Sequence, residues 1–285
     1  MPPPPLPSAP ARIKWSGWTH RGKVRPNNED AFLGVQFDSR EVHHLGKHGT
    51  ASIEKADCAF AVCDGMGGAK AGEFASRIAV EKITTLLPRS LRHSAAESTA
   101  GFPDVLAKLF SEIHRALAYV GGQYEECAGM ETTLSICWFT PGWAYFGHIG
   151  DSRIYYLPAR AGRIQQLSED DTHVAWLLRQ GKITEREARH HPRRNLLQKA
   201  LGGANQFVEP QVGAIACEPD DIFVLCSDGL VKGLHDHDLN DLLRPANPAK
   251  ASENPARLLV ESSLEKDGTD NITALVIQTL AARVN

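Results

Sequence analysis

Residues 133–149 read TLSICWFTPGWAYFGHI. The two runs Thr133–Phe139 and Trp143–Ile149 are rich in aromatic and β-branched side chains, which suit a pleated, half-buried surface. Pro141-Gly142 between them is turn chemistry, so the stretch predicts an antiparallel hairpin. Gly150-Asp151 follows it, and Arg153–Leu157 reads as the next strand. Upstream, Cys58–Cys63 (CAFAVC) is a continuous apolar run that meets Asp64-Gly65, the pattern of a buried strand ending in a turn. Asp221–Cys226 meets Asp228-Gly229 in the same way. Ile13–Thr19, Ala31–Phe37 and the β-branched Ile272–Leu280 complete the set of strands. Strands grouped as hairpins, instead of alternating with helices, argue for an α+β fold built on antiparallel sheet and against a doubly wound parallel one.

Helices are expected at four places. Gly72–Leu87 has apolar residues at helical spacing and stops at Pro88, leaving 88–101 as a loop. A second helix carries Pro103 in its first turn and Leu106, Leu109, Phe110, Ile113 and Leu117 on one face. Asp236–Leu243 and Pro255–Leu264 follow, the latter with Asn254 as N-cap and Pro255 at the first helical position. Residues 38–57 read as a loop or insertion, and 168–200 as a charged segment with three short helical patterns. Nothing splits the chain and no repeat is visible, so the expected organisation is a Pro-rich disordered tail at 1–12, one domain at 13–280 and a short tail at 281–285.

Composition narrows the function. The chain has 285 residues, 42% hydrophobic and 23% charged, which are ordinary globular values and exclude wholesale disorder, collagen and disulfide mini-proteins. Thirty-one basic against 34 acidic residues give a net charge of −3, with no general attraction to nucleic acid or anionic lipid. No apolar stretch approaches the ~20 residues that span a bilayer, and MPPPPLPSAPAR lacks the apolar core of a secretory signal. The six cysteines form no C-x-x-C pair, and four sit in apolar strand-like runs. Buried reduced thiols are therefore expected, which suits a cytoplasmic protein and disfavours zinc.

Carboxylates recur where apolar runs meet turns: Glu29 and Asp30, Asp64, Asp151, Asp228 and Asp270. Taken singly, Asp beside Gly or Asn is ordinary turn chemistry. Gathered at one edge of a sheet, the six would repel and raise one another's pKa unless cations lay among them. Oxygen-only ligands suit hard cations such as Mg²⁺ or Mn²⁺, and a pair of such ions can activate water and hold a phosphoryl group. One sequence does not establish that they converge.

The motifs Arg25-Pro-Asn-Asn-Glu-Asp30, Asp64-Gly-Met-Gly-Gly68 with Ala71-Gly-Glu73, His148-Ile-Gly-Asp-Ser-Arg153, Ser227-Asp-Gly-Leu230 and Asp270-Asn-Ile-Thr273 occur in that order. Their set resembles the metal-dependent serine/threonine protein phosphatase family (PPM, type 2C) in its compact bacterial form. His191-Pro-Arg-Arg-Asn195 and Ala200-Leu-Gly202 resemble a segment that bacterial members place between the later motifs. The resemblance runs from about residue 13 to 280.

It implies a four-layer sandwich, two packed antiparallel sheets flanked by helices. It implies a centre of two Mn²⁺ or Mg²⁺ ions on Asp64, the Gly65 carbonyl, Asp228 and Asp270, with Asp64 bridging. Asp151 would join Asp228 in a third, weaker metal site. Glu29 and Asp30 would bind or orient metal-bound waters, and Arg25 would pair with the substrate phosphate. The implied reaction is hydrolysis of phosphoserine or phosphothreonine by a water bridging the two ions. The implied partners are phosphorylated proteins, including a serine/threonine kinase and its substrates, met by a monomer.

Three positions depart from the family pattern. Met66 and Ala69 stand where many relatives carry a histidine, Glu131 precedes Thr132-Thr133 in place of glycine, and Asp170-Asp-Thr172 replaces a frequent Asp-His-Ser/Thr. His148 is read as a strand residue satisfied by a local hydrogen bond in preference to a proton carrier. The basic run Arg186–Arg194 is either a solvated face or an attraction for phosphorylated peptides. Rival readings are a silent phosphatase-like binding module, which would be expected to lack metal carboxylates, and a metal-dependent nuclease, which the net charge disfavours.

Overall fold

The computed structural model describes residues 9–67, 71–97, 101–160, 162–203, 208–246 and 251–282. The Pro-rich stretch 1–8, the last three residues, and Gly68 and Ala69 of the second motif lie outside the described residues.

Two antiparallel sheets pack face to face. The first contains β1 (Arg12–His20), β4 (His48–Ser52), β9 (Arg153–Leu157), β10 (Gln165–Gln166), β13 (Ile222–Cys226) and β14 (Ile272–Leu280), in the order β10-β9-β13-β14-β1-β4. The second is built on β5 (Asp57–Met66), flanked by β2 (Asp30–Phe37) and by the expected hairpin, β7 (Leu134–Thr140) and β8 (Trp143–Ile149). The short strands β3 (Val42–His44), β6 (Glu131–Thr132), β11 (Leu201–Gly202) and β12 (Gln211–Ala216) extend its edges. Between the sheets lie Trp15, Phe60, Phe139, Phe223, Leu275 and Ile277.

Helices cover the outer faces. α1 (Ala71–Glu97) and α2 (Phe102–Gln123) pack Ala75, Ile83, Leu106, Phe110 and Ile113 on the second sheet. α5 (Asp228–Gly233), α6 (Asp236–Leu243) and α7 (Pro255–Lys266) pack Leu230, Leu239, Leu259 and Val260 on the first. The result is the four-layer α+β sandwich. α3 (His173–Arg179) and α4 (Glu185–His190) lie in the charged segment between β10 and β11. The Asn254 side chain accepts from the Arg257 N–H at 3.1 Å, as expected of an N-cap.

Four local expectations are corrected. Residues 38–57 are not plain loop: β4 pairs with β1, and Gly49 leaves room for the Trp15 ring, where a Cβ would sit 2.6 Å from Cζ2. An exposed edge strand has no apolar run to betray it. β5 does not end at Asp64 but continues to Met66, because Gly65 and Met66 pair with Thr132 and Glu131 after the apolar pattern has stopped. α1 runs through Pro88 to Glu97. The proline ring fits helical φ and forfeits one bond, while buried Ile83 and Leu87 anchor the preceding turn. Residues 168–200 hold two helices, not three patterns.

Candidate active site

The six carboxylates of the motifs arrive at one end of the sandwich from different elements. Asp30 opens β2 and faces Asp64 directly across the β2–β5 ladder. Asp228 begins α5 at the end of β13, Asp270 precedes β14 by two residues, and Asp151 lies in the turn between β8 and β9. A cleft of about 430 Å³ is lined by Arg25, Glu29, Asp64, Gly65, Met66, Asp151, Asp228, Asp270 and, from the charged segment, Asn195 and Leu197. A larger groove of about 520 Å³ along β2 and α1 reaches only Asp30 of these carboxylates. The smaller cleft, where the others gather, is therefore the chemical site.

Backbone hydrogen bonds fix each position. The Asp64 N–H donates to Thr133 Oγ1 at 3.0 Å, and its carbonyl accepts from Thr132 Oγ1 at 3.0 Å and the Thr133 N–H at 2.9 Å. The Thr132-Thr133 pair thus holds Asp64, and Glu131 before it is half-buried on β6. Gly65 is required sterically, since a Cβ would lie 1.9 Å from the Gly72 carbonyl oxygen. Asn271 ties two motifs together: its Oδ1 accepts from the Glu29 N–H at 2.8 Å, and its Nδ2 donates to the carbonyls of Arg21 and Asn27, both at 2.8 Å. Gly150 turns the chain at φ +109°, and its N–H donates to Asp171 Oδ2 at 3.1 Å, setting the loop that carries Asp151.

The Ser227 hydroxyl donates to Asp30 Oδ2 at 2.7 Å and accepts from the Thr273 N–H at 3.0 Å. That commitment explains why it makes no side-chain cap for α5. Asp30 Oδ1 and Asp228 Oδ1 are buried without a hydrogen-bond partner. Arg25 grips Asp270 through Nε to Oδ1 at 2.7 Å and Nη2 to Oδ2 at 2.9 Å. Lys232, one turn along α5, lies 2.6 Å from Asp228 Oδ2 and 2.7 Å from Asp270 Oδ2.

The electrostatics follow from burial and crowding. Burial, with Asp30, Asp228, Asp151 and Asp270 nearby, holds Asp64 well above the usual carboxylate range. Burial pushes Asp30 up to about 7, and burial with Asp228 and Asp170 pushes Asp151 up to about 8. Asp228 and Glu29 are also raised, chiefly by burial. Asp270 is lowered: burial opposes its charge, but bonds from Lys232 and Arg25 outweigh it.

The donors fit a hard divalent cation in kind. They are all oxygens, they carry excess negative charge, and two are orphaned. Among the described residues, no three His, Cys, Asp or Glu side chains are drawn together tightly enough to hold an ion unaided. Arg25 and Lys232 already draw on Asp270 and Asp228.

The motifs single out Arg25, Glu29, Asp30, Asp64, Gly65, Asp151, Asp228 and Asp270. Of these, Asp30 opens on the neighbouring groove and the rest line the cleft. Arg25 points at Asp270 instead of standing free. His148 is buried, with Nδ1 2.8 Å from Ser135 Oγ and Nε2 3.1 Å from the Gly150 carbonyl, the local satisfaction expected of it. The motifs alone give no role to Lys232, Ser227 or Asn271, which the structure joins to Asp270, Asp30 and the Glu29 backbone. The i to i+4 spacing of Asp228 and Lys232 was the available signal for the lysine.

Comparison with known proteins agrees with this fold. The serine/threonine protein phosphatase PstP of Mycobacterium tuberculosis is 32% identical over 268 residues, 93% of this chain. The chain spans 44% of that relative's length. The solved serine/threonine phosphatase of S. agalactiae superposes with a TM-score of 0.77 at 27% identity, covering 94% of this chain and 99% of that one. The PstP catalytic domain, solved in complex with two manganese ions, gives a TM-score of 0.69 at 30% identity, covering 94% and 99% of the two chains. The family model described as protein phosphatase 2C matches residues 47–265. With the motif carboxylates gathered on a matching four-layer frame, the chain belongs to the protein phosphatase 2C family.

Proposed function

We propose that this chain is a metal-dependent protein phosphatase that hydrolyses phosphoserine and phosphothreonine, with residues 13–280 as its catalytic unit. The observation that carries the reading is the meeting of Asp64, Asp228 and Asp270, from three separate segments of the chain, around buried oxygens that lack partners. Asp64, the Gly65 carbonyl, Asp228 and Asp270 hold two Mn²⁺ or Mg²⁺ ions, and Asp151 with Asp228 offers a weaker third position. Bound there, such ions polarise phosphoryl oxygens and lower the pKa of water near neutrality.

The chain's own residues do the rest. Arg25, half-exposed at the cleft mouth, presents a planar fork shaped for a phosphate's paired oxygens. Glu29, whose backbone is held by Asn271, is placed in the cleft to accept hydrogen bonds from water, and Asp30, steadied by Ser227, lies across the ladder from Asp64. Asn195 and Leu197 bring the basic segment 186–194 to the rim, where it attracts phosphorylated protein. Every residue named lies in one chain, so a monomer suffices.

Relatives named as bacterial serine/threonine phosphatases support phosphorylated protein substrates, and an opposing serine/threonine kinase that makes those substrates is part of the proposal. Six free, buried thiols suit a reducing compartment, and we place the reaction in the cytoplasm. Among the described residues, no helix is long and apolar enough to cross a membrane.

The test is purified protein with a phosphothreonine peptide. Hydrolysis should stop in EDTA and return with Mn²⁺ or Mg²⁺. Undiminished activity after exhaustive chelation overturns the metal reading.

A further inference from the structure

Lys232 belongs to no motif, yet its side chain reaches the centre of the cluster. The six-residue α5 places it one turn beyond Asp228, so Nζ approaches Asp228 Oδ2 at 2.6 Å and Asp270 Oδ2 at 2.7 Å. Its side chain is 22% exposed, and those of the two carboxylates are 18% and 17% exposed. An ammonium is a compact point charge with three donors and no acceptor. It neutralises carboxylates and donates hydrogen bonds, but unlike a metal ion it has no open coordination position at which to polarise a phosphoryl oxygen or a water. A divalent ion seated on the same two carboxylates would lie within a few ångströms of Nζ, where like charges in a partly buried site repel strongly.

The neighbouring oxygens show that the lysine only half satisfies the site. Asp228 Oδ1 and Asp30 Oδ1 remain buried and unpartnered while Lys232 occupies the other face of Asp228. Arg25 holds Asp270 Oδ1 and shares Oδ2 with Lys232. The protein has thus built a cation into the pair of carboxylates that the proposed function assigns to metal.

We infer that Lys232 is an internal counter-cation that competes with divalent ions for Asp228 and Asp270, so that metal loading requires its ammonium to leave and metal affinity is set against it. The inference rests on the two-metal reading of this centre. It assigns Lys232 a regulatory part in metal uptake and no step in hydrolysis.

The experiment is isothermal titration calorimetry of MnCl₂ into the EDTA-treated, dialysed full chain at one pH, with melting temperatures taken in EDTA. Lys232→Met keeps the length and removes the charge. It should lower the Kd for Mn²⁺ by ~10-fold or more, about 1.4 kcal/mol. It should also melt lower than wild type in EDTA and gain more from added Mn²⁺, because the carboxylates have lost their resident partner. Lys232→Arg, which keeps the charge, should stay nearer wild type in Kd. Lys232→Gln retains donors for both aspartates without charge and makes the same comparison if the methionine variant fails to fold. A neutral variant that folds and binds Mn²⁺ no more tightly than wild type overturns the inference alone. If wild type and neutral variants all fail to bind Mn²⁺, the two-metal reading falls, and this inference with it.

Discussion

Asp30 and Asp64 are direct cross-strand partners, one on β2 and one on β5, and both are pushed above the ordinary carboxylate range, Asp30 to about 7. Like charges placed opposite one another on adjacent strands destabilise a sheet. This pair therefore stays partly protonated near neutral pH unless a cation takes the protons' place. Ligand carboxylates must be deprotonated to bind metal, so binding releases protons.

The first prediction follows from that exchange. Mn²⁺ binding near pH 7 should release protons, read as a dependence of calorimetric enthalpy on buffer ionisation heat, and apparent affinity should rise from pH 6 to 8. The sign for the metal-free protein is opposite. A carboxyl raised from ~3.9 unfolded to about 7 folded binds more protons in the native state between those values. Its contribution to stability is present below ~4 and is lost as pH rises through 7. Melting in EDTA should therefore occur at a lower temperature at pH 8 than at pH 6. An affinity flat from pH 6 to 8 would contradict this account.

Asp228 is the carboxylate that the proposed function assigns both to the central metal pair and to the weaker third position. Asp228→Ala should reduce phosphopeptide hydrolysis below about a tenth of wild type, a loss of at least ~1.4 kcal/mol in transition-state stabilisation. Because the substitution also deletes a buried oxygen without a partner, cooperative unfolding in EDTA should persist. Retention of more than that tenth would remove Asp228 from the catalytic centre.

Ser227 links the two sheets at the site, its hydroxyl bonded to Asp30 on one and accepting from the Thr273 N–H on the other. Ser227→Ala leaves a buried carboxylate oxygen and a buried N–H unsatisfied. Removing one partner from a buried pair costs ~1–3 kcal/mol, so denaturant melts should show a loss in that range. Catalysis should fall as well, since Asp30 loses its orientation. Unchanged stability and rate together would mean that water replaces the hydroxyl at no cost.

What could be read in the sequence divides along physical lines. Runs buried on both faces, such as Cys58–Cys63 and Ile272–Leu280, announce themselves by unbroken apolarity, and the hairpin at 133–149 by its turn. β4 and β12 escape because exposed or half-exposed edge strands alternate weakly: Gln211–Ala216 contains a glycine and no aromatic residue. α5 escapes because six residues carry too little periodicity, and with it went the proximity of Lys232 to Asp228. The carboxylates stood out as strand-end residues, and the family resemblance gave them roles. Their actual convergence depends on register, as when Asp30 meets Asp64, and on hydroxyls and amides from remote segments. Thr133 and Asn271 act through contacts 69 and 242 residues distant along the chain, which no local pattern records.

Arg25 provides the last prediction. Its guanidinium meets the Asp270 carboxylate in a two-bond contact, with the Arg25 side chain 50% exposed and Asp270 17% exposed. The exposed side of the fork is what a phosphate would meet, and the bond to Asp270 holds the fork in place before substrate arrives. Charge-assisted hydrogen bonds contribute ~1.5–3 kcal/mol each, so Arg25→Ala should lower kcat/KM on a phosphothreonine peptide by roughly 10- to 100-fold. If Arg25 mainly binds ground-state phosphate, the loss appears in KM with kcat nearly kept, since uniform binding lowers KM without raising kcat. Arg25→Lys supplies the charge without the fork and should recover only part of the loss, because a point charge cannot meet two oxygens in one plane. The exposed position makes misfolding a poor explanation for such a defect, and melting in EDTA should change little. A kcat/KM within about twofold of wild type for Arg25→Ala would mean that the guanidinium serves Asp270 alone and that phosphate is held elsewhere in the cleft.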